Sequence, residues 1–411
     1  MTDLKRIAVK ITTILFIAQS LASAGFIAAA AINPILGAKL AHDRSWATLP
    51  TAAYLLSGAL SASAWGIIMD RIGRRNGIAW GLVIGVIGNA LVLYAIQISS
   101  FVLVIVGLMM MGTTNSAVQL GRFAAAEVNR PDGRGRAISA VVLGGVIGTI
   151  LARVSVVPMG NFALSIGWDE LAGAYLTTLT LFAIAAVFVF IGLRPDPRDV
   201  GKEVAKQYPT STPQGEARPI LQILRQPAAI TAVTAMALGQ VVMVAIMVIT
   251  SLYMEDYRHP RSDIYTVISA HTFGMFAPSI ISGWLLDKIG RARMILIGAA
   301  TLLLASMIAP LSRNMLPLSI ALFLLGLGWN FCFVGGSTLL ADQLSPLERS
   351  RTQGTSDFLV GLASAIISLT SGFIFDATSY TMMAGIAGFI SLVPLFLSLS
   401  YMRAKPVPVS A

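Results

Sequence analysis

The sequence predicts an all-α membrane protein of twelve transmembrane helices in two pseudo-symmetric six-helix bundles, with both termini cytoplasmic. Three observations carry that prediction: twelve long apolar runs, an internal repeat that makes one half of the chain a copy of the other, and a one-sided distribution of Lys and Arg. Hydrophobic residues make up 56% of the 411 positions and charged residues 12%, against roughly a quarter charged in an ordinary soluble domain. A water-soluble fold of this length has too little interior to hide so much apolar surface.

A helix needs about 20 mainly apolar residues to cross the hydrocarbon core. Spans 1 to 6 are read at residues 11–36, 49–69, 77–98, 101–126, 137–163 and 171–193. Spans 7 to 12 are read at 227–254, 263–286, 294–311, 317–341, 352–375 and 381–402. They are read as helices because a lipid-exposed backbone must satisfy its own hydrogen bonds, and none of the runs alternates with the period of two that a barrel strand needs. Span 1 follows Lys5, Arg6 and Lys10 and is too long for the apolar region of a signal peptide, so it is read as a retained helix. After span 2 comes Gly66-Ile-Ile-Met-Asp70-Arg-Ile-Gly73-Arg74-Arg75, which recurs 217 residues later, after span 8, as Gly283-Trp-Leu-Leu-Asp287-Lys-Ile-Gly290-Arg291-Ala-Arg293. After span 4 comes Ala126-Glu127-Val-Asn-Arg-Pro131-Asp-Gly-Arg134-Gly-Arg136, matched after span 10 by Ala341-Asp342-Gln-Leu-Ser-Pro346-Leu-Glu-Arg349-Ser-Arg351, at an offset of 215. Two equal halves follow: a first bundle over 1–193, a cytoplasmic linker over 194–226 and a second bundle over 227–411. The linker carries Pro195, Pro197, Pro209, Pro213 and Pro219 with mixed charge, which suits a flexible connection.

Charge sets the orientation. With both termini inside, 22 of the 29 Lys and Arg lie in cytoplasmic segments. Five lie outside (Lys39, Arg44, Arg258, Arg261, Arg313), and Arg122 and Arg153 fall within spans. The positive-inside rule accounts for this asymmetry, and topology with anionic-lipid contact accounts for the net charge of +10, so no nucleic-acid partner is inferred. One cysteine, Cys332, excludes an intrachain disulfide, and no His/Cys spacing points to a metal. No Gly-x-x-x-x-Gly-Lys-Ser/Thr, His-Glu-x-x-His or Gly-x-Ser-x-Gly motif is present, so an ATP-driven pump or an enzyme is not predicted and no cofactor is implied.

The doubled Gly-x-x-x-Asp-x-x-Gly-Arg loop resembles the helix 2 to helix 3 loop of the major facilitator superfamily, and the resemblance covers the whole chain. It implies a secondary transporter working by alternating access, driven by protons, another ion or the substrate's own gradient, and a small-molecule partner for what is read as a monomer in the bilayer. It also implies a latch at the cytoplasmic face. Asp70 and Asp287 end a helix and can cap a neighbouring helix N-terminus, and Gly73 and Gly290 permit the turn. Arg74 and Arg291 follow, with Glu127, Arg134, Arg136, Asp342, Arg349 and Arg351 as acidic and basic partners of the same network. The other reading of these arginines is that they only enforce topology.

Ionisable residues within spans are costly and mark function or a buried pair. Arg153 in span 5 and His271 in span 8 lie at one depth, each about 5 Å outside its span centre. The family places those helices face to face, so the resemblance brings both side chains to a central cavity, where Arg153 would hold an anionic group of a substrate. Against that stand an arginine bonded to helix carbonyls and a neutral packing histidine. Arg122 and Asp357 share a depth about 10 to 12 Å toward the cytoplasm, which permits an ion pair in the latch or, alternatively, a proton-coupling site. The family lines its cavity with helices 1, 4, 7 and 10. Amides fall near their midpoints: Gln19, Asn115 with Gln119, Gln240 and Asn330, with Trp329 available to stack on a polar ring and Met236, Met243 and Met247 as an adaptable wall. Single amides also join helices to one another.

Two departures bear on substrate. Family drug-proton antiporters carry an Arg four residues before a Gly of helix 4, where this chain has Leu108 before Gly112. Their helix 5 Gly-rich motif ends in Gly-Pro, where this chain has Gly144, Gly145 and Gly148 followed by Ala152-Arg153. The reading is therefore symport or antiport of a small polar, anionic metabolite or vitamin-like solute across the cell inner membrane. Proton-coupled drug efflux is the alternative, and a non-transporting membrane sensor a more distant one.

Overall fold

A computed structural model describes residues 2–208 and 218–404, and the described residues form helices and no strand. The first half contains α1 (Thr2–Leu40), α2 (Leu49–Ile72), α3 (Arg74–Gln97), α4 (Phe101–Gln119), α5 (Gly121–Glu127), α6 (Arg134–Val142), α7 (Gly144–Ser165) and α8 (Ala172–Gly192). Two short helices follow, α9 (Pro197–Gln207) and α10 (Ile220–Leu224). The second half contains α11 (Pro227–Asp256), α12 (Arg261–Phe276), α13 (Ser279–Ile289), α14 (Arg291–Ile308), α15 (Met315–Ala341), α16 (Pro346–Ala377) and α17 (Tyr380–Arg403). Each of α4–α5 and α6–α7 makes one span, and eleven spans are long and apolar enough to cross a bilayer. The twelfth is α12 with α13, bent by 49°. That bend sits at Pro278, which has no N–H to give the helix ladder.

Helix ends differ from the apolar ends. α1 begins at Thr2 rather than residue 11, carrying Lys5, Arg6 and Lys10 on helix beyond the apolar stretch, because hydropathy marks where hydrocarbon stops and not where helical hydrogen bonding stops. Tracing the twelve spans puts both termini on one face, the terminal face, with the α1–α2 and α11–α12 connections on the far face.

Small residues set the packing within each half. A Cβ added to Gly88 of α3 would lie 2.7 Å from the Gly107 carbonyl of α4, and one on Gly107 2.6 Å from that of Gly88. Gly298 of α14 and Gly328 of α15 repeat the arrangement at 2.9 and 2.8 Å. In lipid there is no hydrophobic drive between helices, so close backbone approach supplies the contact energy. The repeat in sequence is thus a repeat in packing.

Two seams join the halves, α2 against α16 and α7 against α12. At mid-depth a Cβ on Gly361 would lie 2.7 Å from Ala59, and one on Gly145 2.9 Å from the Phe276 ring. Two turns further toward the terminal face, about 10 Å along the same helix faces, Gly66 and Gly354 have no neighbour within 4 Å of such an atom. The α2–α16 seam is closed from the far face to its middle and parted beyond it.

Both repeated loops turn on glycine. Gly73 has φ 93° and ψ 157°, and Gly290 has φ 86° and ψ 159°, a region open essentially to glycine alone. A Cβ at Gly73 would also meet the Asp196 carboxylate at 2.4 Å, whereas one at Gly290 meets nothing. Gly290→Ala is therefore expected to cost about 1–3 kcal/mol of backbone strain, and Gly73→Ala more, through the displaced carboxylate. Thermal denaturation of both variants in detergent checks the order, and equal losses would contradict it.

Candidate functional site

The described parts of the linker hold two helices, α9 and α10, and Pro209 and Pro213 of the flexible connection read from the sequence lie outside the described residues. Asp196 caps α9, and Pro197 takes the first helical position. Its carboxylate also accepts from the Arg74 and Arg75 amides at 3.1 and 3.2 Å, so it caps α3, the role expected of Asp70. Asp70 instead pairs with Arg74 at 3.0 Å with its side chain 68% exposed, and Asp287 approaches Arg291 at 3.9 Å. Arg198 donates to the Asp70 and Arg71 carbonyls, both at 3.0 Å, closing α9 onto the loop. At the other end, Arg218 grips Glu348 at 2.8 and 2.9 Å, and Glu348 completes the capping box with Ser345 at the start of α16.

The acidic and basic partners of the two loops pair as the repeat implies, and within each half. Arg74 holds Glu127 through two bonds of 3.1 and 2.8 Å, and Arg291 holds Asp342 at 2.8 Å. Arg136 and Arg351 are exposed and make no ion pair among the described residues, and the Arg349 side chain lies outside them. The Arg122–Asp357 pair is not formed. No nitrogen of Arg122 comes within 4 Å of the Asp357 carboxylate, its Nε has no hydrogen-bond partner among the described residues, and its guanidinium lies 4.9 Å from the Phe123 ring centroid. The two helices carrying them belong to opposite halves, and they stand on the parted side of the seam.

Across the middle, Arg153 meets α12 as predicted, but through Thr266, whose hydroxyl accepts from Nε at 3.0 Å. His271 does not share that site. It is fully buried, and its Nδ1 lies 3.0 Å from the Leu322 carbonyl of α15, so it faces inside the second half. Asn330 is likewise internal. It donates to the Met275 carbonyl and Ser279 hydroxyl, both at 2.8 Å, and accepts from Ser282 at 2.6 Å, bracing the α12–α13 bend. Gln19 is buried and bonded to Ser23 at 3.0 Å. Met236 and Met243 are buried in the second-half core, with Met247 half-buried.

What remains of the predicted set is narrower. Gln240 accepts from the Trp329 indole, and Trp329 stacks on Phe333 with centroids 5.1 Å apart and planes 17° from parallel. Asn115 and Gln119 are half-buried and have no hydrogen-bond partner among the described residues. Arg153 is half-buried beside Ile27, Ala31, Tyr265 and Ser269. The aromatic platform offers a stacking face, the two amides offer donors and acceptors, and the fixed cation offers a hold on an anion.

The far face holds a gate that the sequence reading did not assemble. Arg44 pairs with Asp256, and Arg261 pairs with Glu255 and reaches Glu170 at 4.0 Å, so two of these contacts cross between halves. Lys39 pairs with Asp169 within the first half. Trp46 meets Phe373 edge-on at 4.9 Å, and Thr48 donates to the Leu369 carbonyl at 3.3 Å. These charges line a vestibule of about 410 Å³. Arg44, Lys39 and Arg261 were among the five exceptions to the positive-inside pattern, which was the available signal. For the linker the signal was Asp196-Pro197, an N-cap followed by proline.

Arg218 and its hydrogen bonds hold the Glu348 carboxyl well below the usual carboxylate range, against the opposing effect of burial. A lowered folded value contributes stability that is complete above the ordinary carboxylate pKa and is lost progressively as pH falls from there to the folded value. Glu348→Gln is expected to cost about 1.5–3 kcal/mol near neutrality, with the difference from wild type shrinking below the ordinary carboxylate pKa. Melting curves across pH check this. At the far face, Arg44→Asp is expected to lower transport and Arg44→Asp with Asp256→Arg to restore part of it. A double-mutant cycle without coupling would dissolve that gate.

The Major Facilitator Superfamily profile matches residues 15–260 and 240–411. "Uncharacterized MFS-type transporter YdeG" of Bacillus subtilis (strain 168) is 33% identical over 379 residues, covering 92% of this chain and 88% of its own. "Riboflavin transporter RfnT" of Brucella anthropi is 28% identical over 398 residues, covering 97% and 96%. Among solved structures, a POT family transporter in complex with 5-aminolevulinic acid superposes with TM-score 0.68 at 14% identity, covering 95% of each chain. The nucleoside transporter NupG gives 0.67 at 14% identity, covering 97% of this chain and 100% of its own. With its repeated loops, its twelve spans and a profile match over both halves, this chain belongs to the major facilitator superfamily.

Proposed function

We propose that the protein is a secondary transporter of a small polar organic solute with a planar ring and an anionic or strongly accepting group, vitamin-like in size. The observation that carries this reading is the Gln240–Trp329–Phe333 platform on α11 and α15, taken with Asn115 and Gln119 on α4, which have no hydrogen-bond partner among the described residues. Gln240 spends its carbonyl on the indole and keeps its amide N–H groups for a ligand. A relative described as a riboflavin transporter, alignable over nearly all of both chains, supports a flat heteroaromatic solute. Arg153, anchored by one bond to Thr266, leaves its terminal nitrogens for an anion.

The transport cycle follows from the seams. The far-face gate is closed and the α2–α16 seam is parted toward the terminal face, which in the cytoplasmic orientation is an inward-facing state in an inner membrane. Outward opening requires the Arg44–Asp256 and Arg261–Glu170 contacts to break and Gly66 and Gly354 to approach. Arg122 and Asp357, one on each half, then come closer, and their charges favour the closed cytoplasmic side. Protons or another ion supply the drive in this reading.

Reconstituted protein should accumulate flavin-like or similar anionic heteroaromatic solutes from a metabolite mixture in a proteoliposome flux assay. With a substrate in hand, Trp329→Ala is expected to weaken binding by the 0.5–1.5 kcal/mol of an aromatic pair or about 2- to 13-fold, and Arg153→Gln by about 1.5–3 kcal/mol. Arg153→Lys should fall between wild type and Arg153→Gln, since it keeps the charge and loses the planar fork. Unchanged affinity in both Trp329→Ala and Arg153→Gln would refute the site.

A further inference from the structure

A second pocket, of about 500 Å³, opens on the terminal face of the first half, lined by α3, α5, α6 and α9. Arg74, Arg134, Arg198 and Lys202 line it, against a single acid, Glu127. Two of the four cations are already occupied. Arg74 is spent on Glu127 and Asp70, and Arg198 on the Asp70 and Arg71 carbonyls with Asp199 nearby at 3.4 Å. The other two are not. The Nε of Arg134 is enclosed and has no hydrogen-bond partner, and Lys202 is exposed with no ion pair among the described residues.

Arg134 and Lys202 line the pocket with no acidic partner among the described residues, so their charges are available to a ligand. The acceptor must be anionic, since the pocket carries surplus positive charge, and it must offer several oxygens, since Arg134 and Lys202 reach it from different elements, α6 and α9. A phosphate group satisfies both requirements. Phe123, 45% exposed, forms an apolar edge to the same pocket where the spans leave hydrocarbon. A soluble anion has no use for that edge, whereas a phospholipid lays its chain on it.

We propose that this pocket binds the phosphate of an anionic phospholipid headgroup, held by Arg134 and Lys202 with its acyl chain along Phe123. A bound headgroup bridges α6 and α9 and so fastens the linker helix to the first repeated loop. The site is independent of the transported solute, and it needs the bilayer rather than a partner protein.

Full-length protein in nanodiscs of phosphatidylcholine, with or without phosphatidylglycerol, tests it by native mass spectrometry of retained lipid and by thermal shift. Phosphatidylglycerol should be retained and should raise the melting temperature. Arg134→Gln with Lys202→Gln should weaken retention by about tenfold or more. The charge-matched control Lys5→Gln with Arg6→Gln should retain lipid as wild type does, which separates a site from diffuse attraction. A third arm gives lipid-free protein in detergent inorganic phosphate alone. Equal protection there would overturn the lipid assignment in favour of a soluble phosphate. Equal retention of both lipids, or wild-type retention in the Arg134→Gln, Lys202→Gln double variant, would overturn the site.

Discussion

Mid-depth contact between the halves governs the rest of the structure. Gly361 against Ala59, Gly145 against the Phe276 ring, and Arg153 bonded to Thr266 make a belt of close approach with few polar ties. Hydrocarbon provides no hydrophobic force to hold two helices together, so such a belt holds by shape and separates at small cost. In the proposed transport cycle it acts as a fulcrum. The far-face gate and the parted terminal side are the two ends of the lever it supports.

Charge is distributed to suit a fulcrum. Ion pairs that cross between halves, Arg44–Asp256 and Arg261–Glu170, lie at the far face with partly exposed side chains. Exposed pairs contribute about 0–1 kcal/mol each, and about 1.4 kcal/mol shifts a two-state population tenfold. A few such pairs can therefore favour one state without trapping it. On the terminal face, Arg74–Glu127 and Arg291–Asp342 stay within their own halves, stiffening each bundle while leaving the bundles free to move.

How much of this was legible depended on what a single sequence encodes. Span count, the repeat, the glycine turns and the presence of Glu127 and Asp342 beside the two loops were readable because they follow from local composition and from the spacing between copies, whereas which arginine each acid holds was not. Depth along a helix was also readable, and Arg153 does reach α12. Rotation about the helix axis was not. His271 and Asn330 lie at sensible depths but turn into the second half, toward Leu322 and toward Met275 and Ser279. A helix lined with apolar residues all round carries almost no amphipathic signal to fix that angle. The Arg122–Asp357 pair failed for a different reason: equal depth says nothing about which side of the fulcrum is open.

The linker explains why two copies of one motif do not behave alike. Each copy ends a helix, turns on a glycine with φ near 90° and starts the next helix with uncapped amides. In the first copy Asp196 supplies the cap from outside the motif, and Arg198 ties α9 to the preceding carbonyls. In the second copy nothing approaches Gly290, and Arg291–Asp342 stands in for the whole assembly. The linker meanwhile grips the second half elsewhere, through Arg218 on Glu348 at the start of α16. A single segment thus stiffens the loop of one half and holds the first turn of the helix that must swing in the other. Among the described residues the linker thus touches both halves at the terminal face, at the first repeated loop and at the start of α16.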